Sequence, residues 1–401
     1  MRINRVKVLI LHNDLRVYWR RRLIYLHNFL ESKEIDLYAI ELFGKGSPYD
    51  FDPFNKTELW WDCLFPANSN NELSKYQIKD SIFSKLDEIN PDIIIAGSIV
   101  FYSGALGIRW AKRNKKKFIM FDDGKPSLIK RNFLVQTIKN LITNQIDALW
   151  LPSDEYDKEY TLLYSKKRVR YFYGYNCIDN QLFKVNDQKK FNNNKIICIA
   201  RLVPIKNIQN LLRAWMFVEE NNDSNTLIIL GDGPLLPELK DFAKSNKLNR
   251  VAFLGAIANE KIPEYLYEAD AFILPSLGES WGLVVNEAMA AGLPVLLSNK
   301  INAAGTLLKG GINGYTFNPD DLGEMQEKII DFINLSDSAK KEMSANSLKV
   351  IDSMSYENMG NELLKTIFFL KTKQNKYTSL LPYIAINLWY GRYNTLGWDR
   401  V

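Results

Sequence analysis

Apolar positions along the chain fall into two alternating rhythms. Short runs of Val, Ile and Leu are each followed by a longer stretch in which apolar residues recur every three or four positions. The first rhythm belongs to a strand buried on both faces of a parallel sheet, the second to a helix lying on that sheet. Strand-like runs fall at 6–11, 35–42, 92–97, 117–121 and 148–152 in the first half, and at 195–200, 226–231, 251–255, 271–275 and 294–298 in the second. Helical periodicity follows at 207–218, 234–244 and, after a loop at 276–282, at 283–291. Two α/β domains are expected, each a doubly wound, Rossmann-like sheet that binds its ligand outside the carboxyl ends of its strands.

Between the halves, Asp187-Gln188-Lys189-Lys190 and Asn192-Asn193-Asn194 offer nothing to a core. The chain therefore divides into a first domain at 1–175, a linker at 176–192 and a second domain at 193–355. Residues 356–401 add a helix over 356–370 and a tail rich in aromatic residues.

Composition narrows the class. A length of 401 residues exceeds what one core comfortably fills, and 46% hydrophobic with 24% charged residues suits a globular chain. Cys63, Cys177 and Cys198 are odd in number and far apart, as free thiols in a reducing compartment would be. The run Val8-Leu9-Ile10-Leu11 stops at His12-Asn13-Asp14, short of a signal-peptide core, and the longest uncharged stretch, 93–108, falls below the ~20 residues of a bilayer span. A cytoplasmic location is the expectation.

The net charge of +6 is concentrated early, in Arg16, Arg20, Arg21, Arg22 and in Arg109, Lys112, Arg113, Lys115, Lys116, Lys117. Such residues ordinarily form a solvated surface. A basic face for an anionic membrane surface or a diphosphate-bearing acceptor is the sharper alternative. No nucleic-acid-binding motif accompanies the charge, so nucleic acid is not an expected partner.

The strongest chemical signal runs from Pro275 through Ser276-Leu277-Gly278-Glu279-Ser280-Trp281-Gly282-Leu283 to Glu287 and Pro294-Val295. A strand ends, a Gly-containing loop follows, and a helix opens near Gly282 with amides and a positive dipole end suited to a diphosphate. Glu279 lies in the loop and Glu287 inside the helix, so two carboxylates can accept hydrogen bonds from vicinal hydroxyls of one ligand, as on a hexose or a ribose. Either alone would read as a helix-capping acid or an ordinary helical residue.

This segment resembles the Glu-x7-Glu motif of the retaining glycosyltransferases of family 4, which have the GT-B fold. Four further segments resemble that family in the same order: Ala200-Arg201-Leu202-Val203-Pro204-Ile205-Lys206-Asn207, Ile229-Leu230-Gly231-Asp232-Gly233-Pro234, Val251-Ala252-Phe253-Leu254-Gly255 and Gly311-Ile312-Asn313-Gly314-Tyr315. The likeness is specific over about 170–335. It implies two Rossmann-like domains facing across a cleft, the first binding acceptor and the second the nucleotide-sugar donor, with the helix after 356 crossing back to the first. It implies that Arg201 and Lys206 bind the donor diphosphate, Glu287 the ribose, and Glu279 the donor sugar beside the reacting carbon. The stretch Ser280, Trp281, Gly282, Leu283 would contact sugar or phosphate, and the base would lie against Gly255, Ala256 and Ile257, with uridine and guanosine both open. The expected acceptor is a saccharide or lipid-linked saccharide of surface polysaccharide synthesis.

The first half departs from the family pattern. Many relatives carry a Gly-Gly loop after the first strand, whereas here the loop is His12-Asn13-Asp14-Leu15-Arg16-Val17-Tyr18. Arg16 stands as a substitute cation or a surface residue. Asp122 and Asp123 precede Gly124 at a strand end, as acceptor-orienting acids or as turn formers, and His12 either faces the site or is structural. Asp50-Phe51-Asp52 has the form of a metal-binding Asp-x-Asp, but it follows Ser47-Pro48-Tyr49 rather than a strand; no metal or other cofactor is expected. An oxidoreductase would need Gly-x-Gly-x-x-Gly after a first strand, and neither half has it. A sugar-nucleotide epimerase of the same architecture and a non-catalytic nucleotide-sugar-binding protein are the remaining alternatives.

Overall fold

The computed structural model describes residues 5–15, 18–46, 58–125, 132–161, 169–184, 191, 193–222, 224–374 and 378–391. It divides into two compact units, one of residues up to Tyr175 together with those from Tyr356 on, the other Asn176–Ser355.

The first unit is built on a parallel sheet of seven strands: β1 (Val6–His12), β2 (Ile35–Phe43), β3 (Trp61–Phe65), β4 (Ile93–Ala96), β5 (Lys117–Phe121), β6 (Ala148–Leu151) and β7 (Arg170–Tyr173), in the order β3-β2-β1-β4-β5-β6-β7. Every residue of β4, β5 and β6 is buried, which is why these segments are nearly all apolar. Helix Tyr18–Glu31 buries Leu23, Leu26 and Leu30, a stripe at helical spacing. The chain returns to this unit with helix Tyr356–Thr372, which packs beside helix Tyr18–Glu31 and β7. There Arg170 donates through Nε to Thr366 Oγ1 at 3.2 Å and lies over the Phe369 ring.

The second unit has six parallel strands: β8 (Lys195–Ile199), β9 (Thr226–Leu230), β10 (Val251–Gly255), β11 (Ala271–Leu274), β12 (Val295–Ser298) and β13 (Gly314–Phe317), in the order β10-β9-β8-β11-β12-β13. Trp215, Leu211 and Leu212 of helix Ile208–Asn221 pack with Cys198, Phe317 and Phe332 into one core. Burial there pushes the Cys198 thiol up to about 12, so it is an inert apolar filler at neutral pH. The stretch read from sequence as a linker belongs to this unit where described: Cys177 and Ile178 are buried, and Asn180 donates to the Ile351 carbonyl at 3.1 Å. Among the described residues no helix is long and apolar enough to cross a membrane.

Both sheets reverse their strand order at one place, between β1 and β4 and between β8 and β11. Loops leaving neighbouring strands there run to opposite sides and open a crevice at their carboxyl ends.

Candidate functional site

In the second unit the loops after β8 and β11 meet at that crevice. After β8 the chain passes Arg201, makes a short 3-10 turn at Pro204–Lys206, and enters helix Ile208–Asn221 through Asn207 in the left-handed conformation. The Asn207 side chain donates through Nδ2 to the carbonyls of Pro275 at 3.2 Å and Pro319 at 2.9 Å, and the Leu277 backbone amide donates to the Ile205 carbonyl at 2.8 Å. These bonds tie the β8 loop to the β11 loop. Lys206 is thereby brought onto Glu279, with its Nζ donating to Oε1, and Ser276 Oγ donates to the same oxygen at 2.9 Å. Both charged side chains are 15% exposed, so the pair faces the crevice rather than the core.

The rest of the β11 loop is anchored from behind. Trp281, 3% exposed, donates from its indole to Asn286 Oδ1 at 2.9 Å, and Asn286 donates to the Asn176 carbonyl at 3.0 Å. Asn302 donates to the Ser280 carbonyl at 3.0 Å, and the Asn302 and Ala303 amides donate to the carbonyls of Glu279 and Trp281. Gly282, at φ 95°, is the residue before helix Leu283–Ala290, and no side chain caps that helix. A left-handed turn of this kind admits glycine at little cost and leaves the helix start open to an anion. Glu287 is buried, 6% exposed, on the following turn.

The remaining expected site residues lie along the same rim. Arg201 is exposed at the end of β8. Gly255 ends β10 at φ 72° with open space around its Cα, and Ala256 and Ile257 follow it. Two strand spacings, about 10 Å, separate β10 from β8. The turn after β9 is tight: the Leu202 amide donates to the Asp232 carbonyl at 2.8 Å, and a Cβ on Gly231 would fall 1.9 Å from the Ala200 oxygen. The 311–315 segment is structural instead. Buried Asn313 accepts from the Lys309 amide and donates to the Leu307 carbonyl, latching the turn into β13.

The first unit holds a second cluster at its own crevice. His12 ends β1 and stacks on Phe121 of β5, with centroids 5.1 Å apart and planes at 9°. Trp19 packs on both rings, and Tyr175 closes the group against Trp19, Phe121 and Trp150. The Asp14 amide donates to His12 Nδ1 at 3.1 Å, which leaves the ring proton on Nε2. Burial pushes the His12 pKa down from 6.5 to about 4. Asp122, one residue past β5, accepts from the Gly124 amide at 3.0 Å, and burial pushes its pKa up from 3.8 to about 6. Where relatives carry glycines, the β1 loop here is pinned by a charge: the Leu15 amide donates to fully buried Glu41 of β2 at 3.1 Å. Trp19 and Tyr175 were not among the residues singled out from sequence, because aromatic side chains beside strand ends read as core. Arg16 and Asp50-Phe51-Asp52 lie outside the described residues. Among the described residues no three His, Cys, Asp or Glu side chains are grouped to hold a metal ion.

Residues 179–350 match the family model described as glycosyl transferases group 1. That match takes in nearly all of the second unit, Asn176–Ser355. The Lys206–Glu279 pair, Glu287 and all four further resembling segments fall inside it. This domain also carries the likeness to curated relatives. The alpha-monoglucosyldiacylglycerol synthase of Acholeplasma laidlawii is 28% identical over 170 residues, 42% of either chain. The UDP-Gal:alpha-D-GlcNAc-diphosphoundecaprenol alpha-1,3-galactosyltransferase of Escherichia coli is 32% identical over 135 residues, 33% of this chain and 34% of that one. The chain thus spans less than half the length of the curated relatives it matches. The fold likeness is wider: HepE of Anabaena, solved in complex with UDP, superposes with a TM-score of 0.70 over 91% of this chain and 100% of its own, at 16% identity. Both Rossmann-like halves thus have the GT-B fold of that neighbour.

Proposed function

We propose that the chain is a configuration-retaining glycosyltransferase that moves a sugar from a nucleoside-diphosphate sugar, UDP- or GDP-linked, to a lipid-linked saccharide. The observation that carries this reading is the Lys206–Glu279–Ser276 cluster at the β8/β11 crevice of a group 1 domain. Without ligand, the lysine and the carboxylate neutralise one another. An arriving diphosphate draws Lys206, with Arg201, onto its oxygens and frees Glu279 for the sugar hydroxyls. As the glycosidic bond breaks, charge grows on the departing diphosphate, and the two cations already drawn onto its oxygens offset it. Glu287, one turn inside the helix, takes the ribose hydroxyls, and the first amides of that helix face phosphate or sugar. Gly255, Ala256 and Ile257 leave backbone room for the base. No metal enters this scheme.

Retention follows from the resemblance of Glu279 and Glu287 to the Glu-x7-Glu motif. The lipid-linked acceptor is supported by two relatives whose names specify a diacylglycerol and a diphosphoundecaprenol saccharide. The epimerase and non-catalytic alternatives gain nothing from these relatives, which are named as a synthase and a transferase. The deciding experiment incubates the protein with a panel of nucleotide sugars, with and without undecaprenyl-diphosphate saccharides and diacylglycerol, and follows nucleoside diphosphate release and product anomer. Acceptor-dependent release with the anomer kept is expected. Conversion of the nucleotide sugar without any acceptor would replace this reading with an epimerase.

A further inference from the structure

The first unit exposes apolar surface where a folded chain ordinarily would not. Helix Leu380–Leu388 buries only Pro382 and Ile386, one residue per turn. Its other apolar side chains face outward, with Leu380 72%, Leu381 68% and Leu388 75% exposed. On a helical wheel these three lie within about 100° of one another. Helix Phe133–Thr143 packs beside it and presents Phe133 at 80% and Leu134 at 70% exposure, with Ile138 on the next turn. Two adjacent ridges of large apolar side chains on one unit form a patch of the kind that marks an interaction site.

The tail helix is held in this pose by specific contacts. Arg109, 2% exposed, donates through Nε to the Ile386 carbonyl at 2.9 Å and through its terminal nitrogen to the Trp389 carbonyl at 2.6 Å, capping the helix end with a cation. Arg113 donates to Asn387 Oδ1 at 2.8 Å, and the Trp389 indole donates to the Ile99 carbonyl at 2.7 Å. A buried arginine spent on two carbonyls of a helix that contributes so little to the core fixes which face of that helix points away.

Charge decides what covers the patch. From Asn132 to Ile146 and from Thr378 to Gly391 the sequence has no Asp or Glu. Among the described residues the cations at hand are Lys139 within the first helix, Lys125 before it and Arg113 beside the second. Asp147 is already paired with Lys112. A second copy would set these two acid-free helices against themselves, cation toward cation. A bilayer with anionic headgroups matches both features, apolar below and negative at the rim, and Trp389 and Tyr383 suit its interfacial layer.

We propose that helices Phe133–Thr143 and Leu380–Leu388 together form a docking surface that enters an anionic bilayer to headgroup depth. This deepens the reading of a lipid-linked acceptor and rests on it for its purpose, but its test uses no turnover. The whole chain is sedimented with vesicles of phosphatidylcholine alone or mixed with phosphatidylglycerol. Strong partitioning onto the mixed vesicles only, weakened by salt, is expected. Phe133→Ser with Leu134→Ser, and separately Leu380→Ser with Leu388→Ser, should each lower the partition coefficient about 10- to 100-fold. All four sites are exposed, so an unchanged thermal melt accompanies either loss. Equal binding to neutral vesicles, or unchanged partitioning in both variants, overturns the proposal. So does absent vesicle binding with self-association that both variants abolish in sedimentation velocity, which would make the patch a contact between copies. Vesicle binding by a chain that turns over no nucleotide sugar would sink the enzymatic reading and leave the docking surface standing.

Discussion

His12 and Asp122 sit in the same crevice of the first unit and are shifted in opposite directions, so acid should move them against one another. The native state holds the Asp122 proton up to about pH 6, against 3.8 for a free side chain. Its cost to folding is therefore absent below pH 3.8 and complete above about 6. His12 resists protonation down to about pH 4, against 6.5 when free, so its cost is absent above 6.5 and complete below about 4. Each displacement of just over two pH units corresponds to about 3 kcal/mol at 1.36 kcal/mol per unit. Both side chains are partly buried, so about 3 kcal/mol is a ceiling.

As pH falls from 7 to 4, the Asp122 gain and the His12 loss nearly cancel. Removing one unmasks the other. Asp122→Asn should be more stable than the parent at pH 7, by up to about 3 kcal/mol, and the two should converge by pH 4. His12→Gln should match the parent at pH 7, apart from packing, and exceed it at pH 4. Urea titrations across this range give the difference curves. The chain has two histidines, His12 and His27, so imidazole resonances assigned by substitution report the His12 midpoint directly. A His12 midpoint near 6.5, or an Asp122→Asn curve parallel to the parent from pH 7 to 4, would refute the argument.

Other expectations concern the second unit. Glu287→Ala should weaken nucleotide sugar and free nucleoside diphosphate together in calorimetry, because the ribose is common to both, whereas Glu279→Ala should lower turnover more than nucleoside diphosphate affinity. Arg201→Ala and Lys206→Ala should each cost ~3–4 kcal/mol of barrier, roughly 100- to 1000-fold in rate, with an unchanged melt. Activity should survive exhaustive chelation; loss on chelation with recovery on adding metal would remove the two cations from the leaving-group role. Gly231→Ala should destabilise the second unit by about 3 kcal/mol or more in thermal unfolding, since φ 144° and a Cβ 1.9 Å from a backbone oxygen leave no relaxed placement.

Strands were legible in sequence according to their place in the sheet. The runs at 6–11, 35–42, 117–121 and 195–200 reappear as β1, β2, β5 and β8 within a residue at each end, because strands with neighbours on both sides and helices on both faces must be apolar throughout. The three strands that periodicity missed, Trp61–Phe65, Arg170–Tyr173 and Gly314–Phe317, are all edges. An edge strand is covered less completely, so polar residues such as Asp62 and Arg170 interrupt its apolar run. In the site, the resemblance assigned Lys206 and Glu279 to different parts of one donor, and their direct pairing could not come from spacing, since 73 residues separate them. The tail helix Leu380–Leu388 was hidden for a different reason: apolar residues around most of its circumference erase the amphipathic signal.

The return of helix Tyr356–Thr372 to the first unit sets an order of events during synthesis. The second unit is a contiguous stretch of 180 residues, Asn176–Ser355, and can fold as soon as it leaves the ribosome. The first begins earlier yet lacks helix Tyr356–Thr372 until residue 372 has been made. At about 5–20 residues per second, that gap lasts roughly 10–40 s. Throughout it, the faces of helix Tyr18–Glu31 and β7 that this helix covers stand open. The half that emerges first is thus the half that matures last, and a nascent chain stalled near residue 355 would display a finished second unit tethered to an open, chaperone-attracting first one.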